Sequence, residues 1–234
     1  MNSFNLGNGI HHIPMSLPWS SPGFVNIYLI EDKNGYVMID CGVDGKEYYK
    51  LLIEHLSNLK ISMQDISLLI GTHMHSDHIG LSTRIREQGV KFALYKNSKD
   101  FINHYNDWKI RFGELIVLAE KQGAPKSFIQ DLNEIDTPIY AGKITEPDLL
   151  LEEGAIPEVD RKLYTLFTPG HDITEISIHD SSSKVIFSGD HILPKITPFI
   201  PTTSEDDDML GKYSDSLDKV FNINHSIIAP GHGG

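Results

Sequence analysis

The sequence predicts an α+β fold in one domain over residues 1–234. Three observations carry that expectation: short apolar runs bounded by turn residues near both ends, helix-period stretches between them, and a helical block inserted at about residues 98–136. Residues 26–30 and 36–39 are apolar runs flanking a polar turn that ends in Gly35, which is a hairpin signal. Over residues 45–60, Tyr48, Leu51, Leu52, His55, Leu56 and Leu59 follow the i, i+3, i+4 spacing of a helix with one apolar face. Residues 66–70 form a nearly continuous apolar run, as expected of a strand covered on both sides, and the run stops at Gly71.

Residues 76–88 then suit one helix ended by Gly89, and residues 90–95 suit a strand. Ser98 is a candidate N-cap for a longer helix on which Phe101, Tyr105, Trp108, Phe112, Leu115 and Ala119 share a side until Gly123 and Pro125. A second helix over residues 125–135 turns Phe128, Ile129, Leu132 and Ile135 inward. Strand patterns resume at residues 162–168, 175–179, 184–188 and 226–229. Residues 209–221 read as an amphipathic helix, and the acidic stretch Glu205, Asp206, Asp207 and Asp208 before it as a solvated helix start.

Lys and Arg number 20 against 32 Asp and Glu, a formal charge of −12, which argues against a protein built to neutralise phosphate backbones, so no nucleic-acid partner is expected. Cys41 is the one cysteine and rules out both an intramolecular disulfide and a thiolate-rich zinc site; it is expected to be a small buried side chain. No apolar run approaches the roughly 18 residues that a membrane span requires, and the first residues lack a signal-peptide layout. A cytoplasmic location without a membrane partner is the resulting expectation.

Histidine, at 12 residues, is the unusual count. His73, His75, Asp77 and His78 form a His-x-His-x-Asp-His box immediately after the strand at 66–70. Imidazole and carboxylate suit zinc, iron and manganese, and alternate residues leaving a strand point the same way, so His73 and His75 can share one ion. Asp77 and His78, where the chain turns into a helix, point elsewhere and can hold a second. His171 and His232 each follow a strand and a Pro-Gly turn, and Asp190 follows a further strand and Gly189. Four strand ends thus deliver seven potential ligands, and glycine before three of them lets backbone approach an ion closely.

With Asp40, the box, His171, Asp190 and His232 in this order, the chain resembles the metallo-β-lactamase superfamily, and specifically its dinuclear hydrolase branch with hydroxyacylglutathione hydrolase-like members. The resemblance implies a four-layer αββα sandwich, with one metal on His73, His75 and His171 and the other on Asp77, His78 and His232. It implies that Asp190 bridges them and that Asp40 supports the site without being a ligand. His75 stands where flavo-diiron oxygen reductases carry a carboxylate, and Cys41 is misplaced for the cysteine ligand of the major zinc β-lactamase group. The family's second Pro-Gly after the third histidine is replaced by Asp172, Ile173, Thr174 and Glu175. The chain stops two residues after His232, so further C-terminal structure is expected to be missing.

The functional expectation is a metallo-hydrolase with two divalent ions, zinc before iron or manganese, whose bridging hydroxide cleaves a thioester, lactone or ester of a small molecule. Asp77 and Asp190 are the carboxylates expected to serve the chemistry directly. A phosphodiesterase or nuclease of the same superfamily and a one-iron oxygenase resembling persulfide dioxygenases are the alternatives. His191 and His55 are expected to be structural, and His11, His12, His104, His179 and His225 to lie at the surface. The aromatic stripe from Phe101 to Phe112 is assigned to core packing. Residues 14–24, the helical insertion and residues 192–203 are expected to wall the substrate pocket.

Overall fold

The computed structural model describes residues 4–133, 142–201 and 207–233. The first sheet opens as an antiparallel meander of β1 (Phe4–Gly7), β2 (Ile10–Ser16), β3 (Phe24–Asp32) and β4 (Gly35–Ile39). Helix α1 (Lys46–Asn58) then crosses to β5 (Ile66–Ile70), which lies parallel to β4. The short helices α2 (Ser76–Ile79) and α3 (Ser82–Arg86) lead to β6 (Lys91–Tyr95). Helices α4 (Ser98–Asn106), α5 (Trp108–Lys121) and α6 (Lys126–Asn133) lie between β6 and β7 (Leu149–Leu151), where the helical insertion was expected, and β5, β6 and β7 continue in parallel.

The second sheet runs antiparallel through β8 (Gly154–Ala155), β9 (Leu163–Phe167), β10 (Ile176–Asp180) and β11 (Val185–Gly189). Helix α7 (Met209–Phe221) returns the chain to β12 (Ile227–Pro230), parallel to β11.

Strand alternation sorts the apolar side chains into two cores. Tyr28, Ile30, Val37, Ile39, Leu68, Ile70 and Ala93 of the first sheet meet Leu163, Ile176, Ile178, Val185, Phe187 and Ala229 of the second. Their neighbours Ile27, Leu29, Met38, Leu69, Phe92 and Leu94 face Leu52 and Leu56 of α1, Ile85 of α3 and Ile102 of α4. This alternation is why β5 reads as continuously apolar: both of its faces are covered. On the far side of the second sheet, Met209 and Val220 of α7 are buried and the Ser216 hydroxyl donates to the Pro169 carbonyl at 2.8 Å. The layers are therefore α, β, β and α. Full burial of one such apolar side chain is worth about 1.5–3 kcal/mol.

The structure corrects several expectations. The helix expected over 76–88 breaks into α2 and α3, because the Gly42 carbonyl accepts from the Leu81 amide at 3.2 Å and the Cys41 amide donates to the His78 carbonyl at 2.6 Å. These bonds tie the segment after β4 to the helix end. The long helix from 98 breaks at Asp107, whose carboxylate accepts from the Ile110 amide at 3.2 Å and so caps α5. Ser98 is the first residue of α4 and Asn97 precedes it, so Ser98 is not the N-cap. Phe101 and Tyr105 do pack on the core. The side chains of Trp108, Phe112, Leu115 and Leu132, and all of Ile135, Glu205 and Asp206, lie outside the described residues.

His12 and His179 are buried rather than exposed, and His11, His104 and His225 are half-buried. His12 belongs to the unexpected strand β2, where its Nε2 lies 2.6 Å from Asn26 Oδ1. His179 belongs to β10. Cys41 and His55 are buried as expected. Among the described residues, no helix is long and apolar enough to cross a membrane.

Candidate metal centre

The ends of β5, β9, β11 and β12 lie together at one rim of the two sheets, and each delivers its histidines or carboxylates there. Three groups have ligand atoms within 4.8 Å of one another: His73, His75 and His171; Asp77, His78 and His232; and His73, His78 and Asp190. Within the first, His75 Nδ1 lies 2.9 Å from His73 Nε2 and 3.0 Å from His171 Nε2. Within the second, His232 Nε2 lies 3.3 Å from both His78 Nε2 and Asp77 Oδ2. Asp190 sits between the groups, with Oδ1 3.4 Å from His78 Nε2 and Oδ2 3.4 Å from His232 Nε2 and 3.6 Å from His171 Nε2.

Hydrogen bonds at the far side of each ring decide which nitrogen is bare. Asp40 accepts from the Thr72 amide at 2.8 Å, and its Oδ2 accepts from the Thr72 hydroxyl at 2.9 Å and from His78 Nδ1 at 2.7 Å. With its one proton given to Asp40, the Thr72 oxygen is left to accept from His73 Nδ1 at 3.0 Å. His171 Nδ1 donates to the Phe199 carbonyl and His232 Nδ1 to the Phe24 carbonyl, each at 2.7 Å. The Nε2 atoms of all four rings are therefore the ones that face one another, each a donor atom for an ion once its ring is neutral. In a buried space, these facing nitrogens can all be neutral together only with a cation among them, and Asp190 Oδ1, buried with no hydrogen-bond partner, adds a further unmet acceptor. This donor set fits divalent metal ions.

The local field agrees. Burial works against charge on His78, but Asp190, Asp40 and Asp77 outweigh it and raise the imidazole well above its ordinary value. His232, opposed by burial but hydrogen-bonded to Asp190 and Asp77, is raised to about 9. Burial and the neighbouring rings push His73 well down. His75 falls to about 4, chiefly by burial. Asp77 is held at about 2, since His78 and His232 overcome its burial. A field that recruits protons to His78 and His232 also attracts divalent cations.

A family model described as the metallo-beta-lactamase superfamily matches residues 20–232. The chain belongs to the metallo-beta-lactamase superfamily. Among similar proteins, the human protein named "Acyl-coenzyme A thioesterase MBLAC2" is 24% identical over 199 residues, 80% of this chain and 64% of the relative. The Bacillus subtilis (strain 168) protein named "Probable metallo-hydrolase YqjP" is 24% identical over 220 residues, 90% of this chain and 67% of the relative. The chain thus spans about two thirds of the length of these relatives. A solved metallo-beta-lactamase family protein from Thermus thermophilus superposes with a TM-score of 0.81 at 23% identity, over 98% of this chain and 75% of that one. At that identity the likeness concerns the fold alone.

All seven expected ligand residues converge at this one rim, and Asp40 stands behind two of them. Asp40 has φ 58, in the left-handed region that Asp tolerates better than most residues, so the backbone turns sharply to aim its carboxylate. Gly231 is required by close approach: a Cβ there meets Asp190 Oδ1 at 2.5 Å and His78 Cε1 at 2.8 Å. His191, fully buried, takes no part in the three groups, and its ring packs against Tyr213 at 5.0 Å.

Several residues escaped sequence reasoning. Phe24 and Phe199 act through backbone carbonyls, which leave no side-chain signal. Thr72 directly precedes the box but is an ordinary strand residue by type. Glu175 is fully buried and its Oε1 accepts from the Asp190 amide at 2.8 Å. Its signal was present in the departure from Pro-Gly after His171.

Proposed function

We propose that this chain forms the catalytic part of a metal-dependent hydrolase that cleaves an activated acyl bond, with a thioester as the favoured substrate class. The observation carrying this reading is the pair of donor triads with Asp190 between them. In it, His73, His75 and His171 hold one divalent ion and Asp77, His78 and His232 the other. Zinc is the favoured metal, given the imidazole-rich, sulfur-free donor set. When bound, two such ions supply Lewis acidity and a water whose pKa is lowered towards about 7.

The chain's own residues set the conditions for that chemistry. Thr72, Asp40, Phe24 and Phe199 hold four rings in the tautomer that presents Nε2, so little reorganisation remains for the reaction itself. Asp190, at the junction of the triads, keeps both groups at fixed separation and can accept a hydrogen bond from a nucleophilic water. Phe199 is 72% exposed while its carbonyl holds His171, which leaves an apolar residue at the rim where an acyl group would lie. A thiolate leaves without needing a proton, in keeping with the lack of an assigned general acid. The thioesterase name carried by the human relative supports the same class.

Two complete triads favour a two-ion site over the one-iron oxygenase alternative. The charge of −12 weighs against a nuclease. Metal analysis of protein purified without added ions, followed by assays on acyl-coenzyme A thioesters, a lactone and bis(p-nitrophenyl) phosphate, tests the reading. About two zinc or manganese per chain with acyl turnover is expected. One iron per chain with oxygen uptake, or turnover of the phosphodiester alone, overturns it.

A further inference from the structure

Four residues stand where the superfamily's second Pro-Gly turn was expected, and two of them carry carboxylates that end up buried behind the metal centre. Asp172 is the more informative. It is 4% exposed, and its Oδ1 accepts from the Thr174 amide at 2.7 Å and the Thr174 hydroxyl at 2.5 Å. Its Oδ2 accepts from the Tyr105 hydroxyl and lies 3.8 Å from His75 Nε2. Tyr105 belongs to α4 of the helical insertion, and its ring centroid is 6.5 Å from that of His75.

His75 is the exception among the converging rings. It presents Nδ1 to the site, 2.9 and 3.0 Å from its neighbours, whereas the other four present Nε2. Its proton must then sit on Nε2, on the outer edge, where among the described residues no backbone carbonyl plays the part that Phe24 and Phe199 play for His232 and His171. The carboxylate facing that edge is Asp172, itself fixed by three donors. A buried carboxylate with its remaining lone pairs satisfied can rotate little, so its charge acts on the ring from one direction.

We propose that Asp172 is a positioning residue that holds His75 in the Nε2–H tautomer, and that Tyr105 couples the helical insertion to the metal centre by anchoring Asp172. The insertion is then part of the metal site's support as well as a candidate wall of the substrate pocket. This rests on the two-ion reading above, and the experiment tells the failure of one from the failure of the other.

The experiment uses the full chain as wild type, Asp172→Ala, Asp172→Asn and Tyr105→Phe. Zinc affinity is read by competition with a chromophoric chelator, and the cobalt(II)-loaded proteins are examined by proton NMR for solvent-exchangeable, paramagnetically shifted imidazole N–H signals. Wild type taking up two ions upholds the underlying reading; uptake of none or one overturns that reading, and this inference with it. With two ions bound in wild type, Asp172→Ala is expected to weaken one of the two affinities about 10- to 100-fold. One shifted N–H signal should also exchange faster with solvent. Asp172→Asn, which keeps an acceptor oxygen, should recover part of both effects, and Tyr105→Phe should show the same pattern more weakly. Unchanged affinities within twofold together with unchanged N–H exchange in Asp172→Asn and Tyr105→Phe overturn the proposal, even if Asp172→Ala fails to fold. A variant that only loosens the fold would lower the denaturation midpoint without selecting one N–H signal.

Discussion

Asp40 Oδ2 lies 2.7 Å from His78 Nδ1, and the same carboxylate takes the amide and hydroxyl protons of Thr72, whose oxygen faces His73 Nδ1. One side chain outside the three donor groups therefore orients a histidine in each of the two triads. Asp40→Ala is expected to lower the affinity of both ion sites, by about 10- to 100-fold for the His78 site, while Asp40→Asn loses less. Chelator competition on the two variants measures it. Equal affinities across wild type and both variants would mean that the rings are oriented by packing alone.

Gly231 lies against Asp190 and His78 with no room for a methyl group. Gly231→Ala should displace Asp190 and cut hydrolytic turnover at least 100-fold while the thermal midpoint moves little, since the rim carries few of the core contacts. A kinetic assay alongside a melting curve tests this. Full activity would show that Asp190 has slack that the structure does not suggest.

Ion binding should release protons near neutral pH. Held by Asp190, Asp40 and Asp77, His78 is raised well above its ordinary value and His232 to about 9, so at pH 7 both are protonated after chelation of any ion. His73 and His75 are displaced downward and already neutral at that pH. The protonated pair must give up protons, so affinity should rise as pH rises from 7. Calorimetric titration at pH 7 in buffers of different ionisation enthalpy counts the protons. About two released per chain is expected; none released would mean that His78 and His232 are neutral in the ion-free protein.

Away from the site, Arg161 Nε and Nη2 donate to Asp180 Oδ2 at 2.9 and 2.5 Å, and Asp180 is fully buried at the end of β10. Burial raises the Asp180 carboxyl, but Arg161 and Ser183 outweigh it and the net displacement is downward. A lowered folded pKa stabilises the fold above the unfolded value of about 4, and that contribution disappears as pH falls through the folded one. Arg161→Ala leaves the carboxylate buried without its partner and should cost about 3–5 kcal/mol in urea denaturation at pH 7. The gap between variant and wild type should narrow below about pH 4. A constant gap from pH 7 to pH 3 would exclude ionisation of Asp180 as its source.

Most of the architecture was legible because the strands that form the inner layer are apolar in uninterrupted or alternating runs, as residues 26–30, 66–70 and 185–188 illustrate. Strands β1 and β2 escaped because Gly7, Gly9 and Pro14 read as turn residues and His11 and His12 as surface ones. Pairing with β3 buries His12 all the same, against Asn26. Strand β7, at three residues, is too short for any period to register. The single helices expected over 76–88 and from 98 each broke where a long-range bond or a cap took over from helix propensity. No local pattern records the Gly42 to Leu81 bond, because its partners lie 39 positions apart in the chain.

By itself, the sequence determined the donor chemistry of this protein: His73, His75, Asp77 and His78 are adjacent, so their types and spacing are a local property, and the turn before His171, Asp190 and His232 marks each as a strand-end residue. Tertiary structure decided how those seven side chains present themselves. Which ring nitrogen is bare depends on carbonyls at Phe24 and Phe199 and on carboxylates at Asp40 and Asp172, groups brought in from separate parts of the chain. A hydrogen bond acts over about 3 Å whatever the sequence separation, so tautomer, charge and reach at the metal centre were set only when the two sheets closed on each other.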